Sequence, residues 1–259
     1  MNSKLKKEVW EKGKYWALAE KGSLDTEHSG MKLLLKIAKE KKNILDLGCG
    51  EATRLGLIDG RGKNLTGIDI SEMAIQKAKT KHPKINFVLG RVEKLPFPDA
   101  SFDFVYSAFV FEHLDEPVKV IKEAVRVLKM DGNLLIIAPN YGAPNRASPP
   151  YTKNRMRKLI RGFIRDFSMS NDLTWQKVSP MADKDTYQMD WDTTIEPYLG
   201  SLIPFMRQTG MKIVKYSSSW EEEEKGAGIM QKIFRFLGEC GIYPFKNWGP
   251  HLLLLAEKC

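Results

Sequence analysis

The sequence predicts an α/β fold, a doubly wound and mostly parallel sheet, on three observations. Short apolar runs at residues 44–47, 65–70, 85–89, 102–106 and 134–138 are each bounded by turn residues, the pattern of strands buried on both faces. Stretches with helical spacing, residues 71–81 and 117–130, alternate with those runs. The first run ends on Gly48-Cys49-Gly50, the glycine-rich strand-to-helix turn of doubly wound sheets.

In chain order, residues 1–42 read as an N-terminal helical cap, Lys-rich and carrying Trp10, Tyr15, Trp16 and Leu18, then Leu33, Leu34, Leu35 and Ile37. Residues 43–139 form the α/β core, with Ser71 as the N-cap of one helix and Pro117 in the first turn of the next. Met130-Asp131-Gly132-Asn133 closes that second helix and turns into the fifth strand. Residues 140–197 lose the regularity, with clustered Pro, Asn and Ser and no clear strand, and read as an insertion or lid facing the substrate. Residues 198–259 complete the core with a helix at 198–209, a turn at Gly210 and strands at 212–216 and 252–255.

The 259 residues, 42% hydrophobic and 28% charged, fit a globular domain with a full core and exclude disordered, collagen-like and coiled-coil chains. A formal net charge of +9 favours anionic partners without specifying a fold. Neither a membrane span nor the apolar core of a signal peptide is visible, so a cytoplasmic location is expected. Cys49, Cys240 and Cys259 have neither disulfide-framework nor metal-like spacing, and no metal site is expected.

The chemistry concentrates after the first two strands. Gly48 and Gly50 let backbone N–H groups approach a ligand at a helix N-terminus, and Asp69, ending the second strand, is placed to accept from ribose hydroxyls. Asp46, two residues before Gly48, suits a cationic group and would repel a pyrophosphate; the alternative is a structural acid that hydrogen-bonds the glycine turn.

With ILDLGCG at 44–50, GIDIS at 67–71, LPFPDASFDFVYS at 95–107, EHL at 112–114 and VLKMDG leading into LLIIAPN, the chain resembles class I methyltransferases that use S-adenosylmethionine, in the broad small-molecule group. The resemblance covers residues 43–140. It implies a Rossmann-like seven-stranded sheet and S-adenosylmethionine as cofactor. It further implies that Asp46, Gly48, Cys49 and Gly50 surround the methionine end, Asp69 and Ile70 the ribose, Arg91, Val92 and Glu93 the adenine, and Ser107 the sulfonium side. Two positions depart from the family pattern. Ala52 replaces a third glycine and is expected to narrow the room beside the cofactor by a methyl group. Arg91 stands where an acid commonly accepts from adenine, and it cannot accept.

Methyl transfer needs donor and acceptor in line and no nucleophilic residue. An acceptor that must lose a proton needs a general base, and His113 is the candidate; its other reading is a loop-ordering or pocket-lining residue. The loop after the fourth strand, Ser107-Ala108-Phe109-Val110, lacks the motif expected for methylation of exocyclic base amines.

In the insertion, Met156, Leu159, Ile160, Phe163, Ile164 and Phe167 share one helical face, with Lys153, Arg155, Arg157, Lys158, Arg161 and Arg165 as a cationic remainder. That face either covers the active site as a lid or meets an anionic membrane surface, and the cations alternatively grip a phosphorylated substrate. Gly162 is expected to weaken the helix and make it mobile. Trp175, Tyr187, Trp191, Asp190, Asp192 and Glu196 suit a sugar or another hydroxylated acceptor, or form the packing of an irregular lid. The expected function is methyl transfer to a small-molecule, sugar or lipid-linked acceptor, with nucleic acid disfavoured as a partner. The rivals are a nicotinamide-dependent oxidoreductase, whose fingerprint lacks its third glycine at Ala52, and a non-catalytic protein that keeps the fold.

Overall fold

The computed structural model describes residues 24–167, 171–173, 175–181, 188, 190–219 and 228–259. Trp10, Tyr15, Trp16 and Leu18 of the expected cap, and Tyr187 of the insertion, lie outside the described residues.

Seven strands form one sheet in the order β3-β2-β1-β4-β5-β9-β8. These are β1 (Asn43–Leu47), β2 (Asn64–Asp69), β3 (Asn86–Leu89), β4 (Phe102–Ala108), β5 (Leu128–Pro139), β8 (Met211–Ser219) and β9 (His251–Lys258). The first five pair in parallel, and β9 lies antiparallel between β5 and β8. Strand order reverses between β1 and β4, and in such sheets the crevice beyond the carboxyl ends of those two strands is where ligands bind.

Each face of the sheet has its own core. On one face Ile44, Phe104, Tyr106, Leu135 and Ile137 pack with Met31, Leu34 and Ala38 of α1 (Ser29–Glu40) and with α2 (Thr53–Ile58) and α3 (Glu72–Lys81). On the other, Leu45, Leu47, Val105, Leu134 and Ile136 pack with α4 (Pro117–Val127) and α6 (Leu199–Gln208). Ser71 caps α3 by accepting from the Ala74 N–H, and Pro117 opens α4. α4 ends at Val127, short of the expected Met130. Leu128 is already extended and pairs with Phe102 of β4, and Asp131 takes a left-handed φ of 60° at the turn inside β5.

The insertion contains α5 (Arg155–Asp166) and two short strands that the sequence did not show, β6 (Gln176–Lys177) and β7 (Ile195–Glu196), paired antiparallel. The apolar face of α5 is turned outward. Met156, Ile160, Phe163, Ile164 and Phe167 are exposed, and the residues turned inward are Lys158 and Gly162. Lys158 is tolerated inside because its Nζ donates to Glu196 at 2.6 Å and to the Tyr141 carbonyl at 2.7 Å. The Glu196 carboxylate also accepts from the Ser148 N–H and hydroxyl, which makes Glu196 a structural acid. Gly162 permits close packing: a Cβ there would lie 2.7 Å from Pro144 Cγ. Beyond the insertion lie α7 (Ile229–Glu239) and α8 (Phe245–Trp248).

Candidate active site at the β1–β4 crevice

β1 and β4 deliver the first acidic group. Asp46 and Tyr106 are register partners, both fully buried, and the tyrosine hydroxyl donates to Asp46 Oδ2 at 2.7 Å. Asp46 Oδ1 is buried with no hydrogen-bond partner among the described residues. Burial is the largest influence on this carboxyl and pushes its pKa up to about 7, against the pull of Arg54 and the Tyr106 hydroxyl, with Asp69 adding to the rise. Arg54, which the sequence reading missed, also lies over the Phe109 ring at 5.6 Å.

The glycine turn spends its donors differently from expectation. The Gly48 and Cys49 N–H groups both donate to the Ile68 carbonyl, at 2.8 and 3.1 Å, so neither is free for a ligand. What Gly48 supplies is conformation and closeness: its φ is +78°, and a Cβ would lie 2.5 Å from Val110 Cγ2. The Gly50 N–H donates to Asp69 Oδ2 at 2.9 Å, and the Ser71 N–H to Asp69 Oδ1 at 2.8 Å. Asp69 therefore ties the turn after β1 to the end of β2, and each of its oxygens keeps a lone pair for a further donor. Burial holds its pKa above the usual carboxylate value despite these backbone donors. The Cys49 thiol is buried over Gly67, away from any role as an exposed nucleophile, and burial pushes its pKa well up.

Ala52 does not narrow this turn. Its methyl is fully buried in the core beside Leu55, and the departure from glycine appears as a left-handed φ of 64°. Ile70 is exposed at the end of β2, while Val92 belongs to the core. Arg91 pairs with Glu93 at 2.9 Å and is half exposed, so the Glu93 carboxylate is already engaged. Ser107 is buried, and its hydroxyl donates to the Leu47 carbonyl at 3.2 Å, stitching β4 to β1.

The loop after β4 forms a short 3-10 turn, Phe111–His113, on which the insertion folds back. The Thr194 N–H and hydroxyl both donate to the Glu112 carbonyl. That contact gathers a cluster the sequence reading only partly named: Glu112, His113, Tyr141, Asp190 and Asp192. His113 Nδ1 lies 3.4 Å from Asp192 Oδ2, and Nε2 lies 3.8 Å from Glu112 Oε1. The Tyr141 hydroxyl donates to Asp190 Oδ2 at 2.5 Å. Burial lowers the His113 pKa, but Asp192, Glu112 and Asp190 outweigh it, and the net shift is upward. Burial, the largest influence on Glu112, together with Asp190 and Asp192, pushes it up to about 7 against the pull of His113. Glu112 Oε2 and Thr193 Oγ1 are buried without partners among the described residues. Trp175 ties the insertion to the core, edge-on to Phe111 at 5.8 Å and donating from Nε1 to Ser201 Oγ at 3.0 Å. Among the described residues no group of three or more His, Cys, Asp and Glu side chains is arranged to hold a metal ion.

Residues 45–136 match the family model described as methyltransferase domain. Over 110 residues, 42% of this chain, the sequence is 31% identical to a protein of Mycobacterium tuberculosis named "Probable S-adenosylmethionine-dependent methyltransferase", and covers 40% of its length. It is 30% identical over 135 residues to a demethylmenaquinone methyltransferase of Thermotoga maritima, covering 52% of this chain and 56% of that one. The chain thus spans about half the length of the curated relatives it matches. Among solved structures, an S-adenosylmethionine-dependent methyltransferase from Mesorhizobium loti has the same fold, with a TM-score of 0.58 at 17% identity over 90% of this chain and 99% of that one. A sheet that reverses between β1 and β4, and a sequence match over residues 45–136, point the same way: the chain has the Rossmann-like methyltransferase fold, and through that segment it is similar to S-adenosylmethionine-dependent methyltransferases.

Proposed function

We propose that this protein is an S-adenosylmethionine-dependent methyltransferase acting on a small-molecule, sugar or lipid-linked acceptor. The observation that carries this reading is the pair of acids at the β1–β4 crevice. One is Asp46, with a buried and unpartnered oxygen; the other is Asp69, bound to the Gly50 N–H with lone pairs to spare. A buried carboxylate that lacks one partner fits a cationic ligand and repels a pyrophosphate, which argues against a nicotinamide dinucleotide.

When bound, the cofactor supplies an electrophilic methyl group for in-line transfer. The chain's own residues position, shield and move a proton. Asp46 presents negative charge where water is excluded, and Tyr106 holds its other oxygen. Asp69 fixes the glycine turn and accepts from hydroxyl groups. His113 takes the acceptor's proton, and Asp192 beside Nδ1 orients the ring and stabilises the imidazolium that forms. The Thr194 bonds to the Glu112 carbonyl hold the insertion against this turn.

Calorimetry with S-adenosylhomocysteine, followed by a donor-dependent screen of sugars, lipid precursors and small amines, tests the reading. Heat of binding and turnover of one acceptor class are expected. Tight NAD binding with no response to S-adenosylhomocysteine would replace it with the oxidoreductase. Binding without turnover of any class would leave a non-catalytic protein.

A further inference from the structure

The insertion helix α5 turns its apolar side away from the protein. Met156, Ile160, Phe163, Ile164 and Phe167 are 64, 55, 48, 64 and 67% exposed, and all five lie on one arc of the helix. Isolated exposed apolar residues need no explanation, but a continuous face of large ones does. The face continues beyond α5. The Tyr243 ring lies 6.1 Å from Phe163 and 5.3 Å from Phe167, and Tyr243 follows α7, whose Ile229, Met230 and Phe236 are exposed by 60% or more.

Charge identifies what covers this face. Lys153, Arg155, Arg157 and Arg161 are exposed around the apolar arc of α5, and no carboxylate is paired with them among the described residues. Arg157 and Arg161 also line, with Lys153, Lys158 and Arg165, a cavity of about 280 Å³ whose one carboxylate, Glu196, is already bound to Lys158. An apolar stripe edged by unpaired cations matches the chemistry of an anionic lipid surface: acyl chains receive the stripe and headgroup phosphates receive the arginines. A protein partner would have to present an apolar groove with an acidic rim. No helix among the described residues is long and apolar enough to cross a membrane, so contact of this kind is with the surface.

We propose that α5, extended by Tyr243 and the exposed face of α7, is a docking surface for an anionic membrane. This goes beyond the methyl-transfer reading and stands or falls separately from it, because it needs neither cofactor nor acceptor.

The test is sedimentation of the full chain with vesicles of phosphatidylcholine alone and with 30% phosphatidylglycerol added, on the order of 50 and 500 mM salt. Binding to the anionic vesicles at least ~10-fold stronger than to the neutral ones, and weakened several-fold by salt, is expected. The Ile160→Asp, Ile164→Asp pair should abolish binding to both kinds, and Arg157→Glu with Arg161→Glu should remove the anionic preference. These side chains are exposed, and an unchanged circular dichroism spectrum with a retained cooperative thermal melt serves as the control for folding. Independently of any variant, hydrogen exchange of the wild-type chain on anionic vesicles should show protection across residues 155–167. Absence of sedimentation at low salt overturns the proposal, as does vesicle binding that leaves residues 155–167 unprotected. A stable dimer that Ile160→Asp converts to monomer also overturns it, since a second copy would then occupy the face.

Discussion

Asp46 and Tyr106 stand opposite one another on neighbouring strands, 60 positions apart in sequence, and share a single hydrogen bond that satisfies one carboxylate oxygen and leaves the other buried alone. The carboxyl is therefore poised: costly as an anion when no cation lies beside it, and favoured as an anion when one does. With the pKa raised to about 7 from the ordinary value, the native protein keeps a proton between about pH 4 and pH 7 that the unfolded chain has lost. Stability contributed by this group consequently falls as pH rises through that window. Asp46→Asn should raise the melting temperature of the ligand-free protein at pH 8, by the equivalent of up to about 4 kcal/mol given about three pH units at about 1.4 kcal/mol each. In the same variant, S-adenosylhomocysteine binding should weaken by about 10-fold or more, the order expected for losing a charge-assisted contact. Calorimetry alongside thermal melts reads both effects. Tighter binding in the variant would show that Asp46 is a structural acid.

Asp69 joins two turns through the Gly50 and Ser71 N–H groups. Asp69→Ala leaves both donors unpaired in a half-buried region, at a cost of about 1–3 kcal/mol each where water does not replace the acceptor. Asp69→Asn keeps one acceptor oxygen and should recover part of that loss. If the same carboxylate also accepts from ribose, affinity for adenosine should fall further than stability predicts, in both variants. Urea midpoints and adenosine titrations separate the two roles.

Ala52 carries a prediction that separates two physical accounts of one methyl group. As a group crowding the cofactor, its removal in Ala52→Gly should tighten S-adenosylhomocysteine binding. As a core methyl on left-handed backbone, removal relieves about 1 kcal/mol of backbone strain and gives up about 0.8 kcal/mol of burial. The structure supports the second account, so affinity should change by less than about 2-fold, and the melting temperature should shift by less than the equivalent of ~1 kcal/mol.

What could be seen in the sequence was what neighbours in sequence decide. The Ser71 cap, Pro117 in the first turn of α4, the strands ending at Leu47 and Asp69 and the helix at α5 all follow from local period and capping. The direction α5 faces does not. A helix with one apolar side ordinarily buries it, and here the Lys158–Glu196 pair, formed across 38 positions, turns the side carrying Lys158 and Gly162 inward. The same limit applies to the site. His113 was legible as a candidate, but Asp192, which sets its basicity, arrives across 79 positions through the insertion. Glu112 gave no signal beyond its place before His113, because its raised pKa comes from burial that only the folded insertion supplies.

His113 is held above its ordinary pKa by Asp192, Glu112 and Asp190, which outweigh its burial. Its proton acceptance requires the neutral ring, so kcat should rise with pH through that raised value. Asp192→Asn removes the first-named of the supporting carboxylates and should move the rising limb to lower pH while lowering the plateau. His113→Ala should lower kcat by about 100-fold or more, with S-adenosylhomocysteine affinity unchanged. A pH profile unmoved in Asp192→Asn would leave His113 as a loop-ordering residue. Stability runs in the same direction with pH as for Asp46, in a higher window: the contribution of protonated His113 is complete below the unfolded histidine value near 6.5 and is lost as pH rises through the folded pKa.

Gly162 tests how tightly the insertion is built. In an isolated helix, Gly→Ala is stabilising by about 1 kcal/mol, and a mobile lid helix would show that gain. In this fold the added Cβ would stand 2.7 Å from Pro144 Cγ and 3.1 Å from its Cα, and the ring and backbone of a proline cannot swing aside like a flexible side chain. Overpacking of that kind costs about 1–3 kcal/mol, which exceeds the helix gain, so Gly162→Ala should lower the urea midpoint. Because α5 also carries Lys158 into its bond with Glu196, the displacement should loosen residues 141–148 and 195–198 together, visible as faster hydrogen exchange in both segments. A raised midpoint would instead mean that the helix packs loosely against Pro144, and that the insertion moves as a hinged flap whose inward face is set by helix propensity alone.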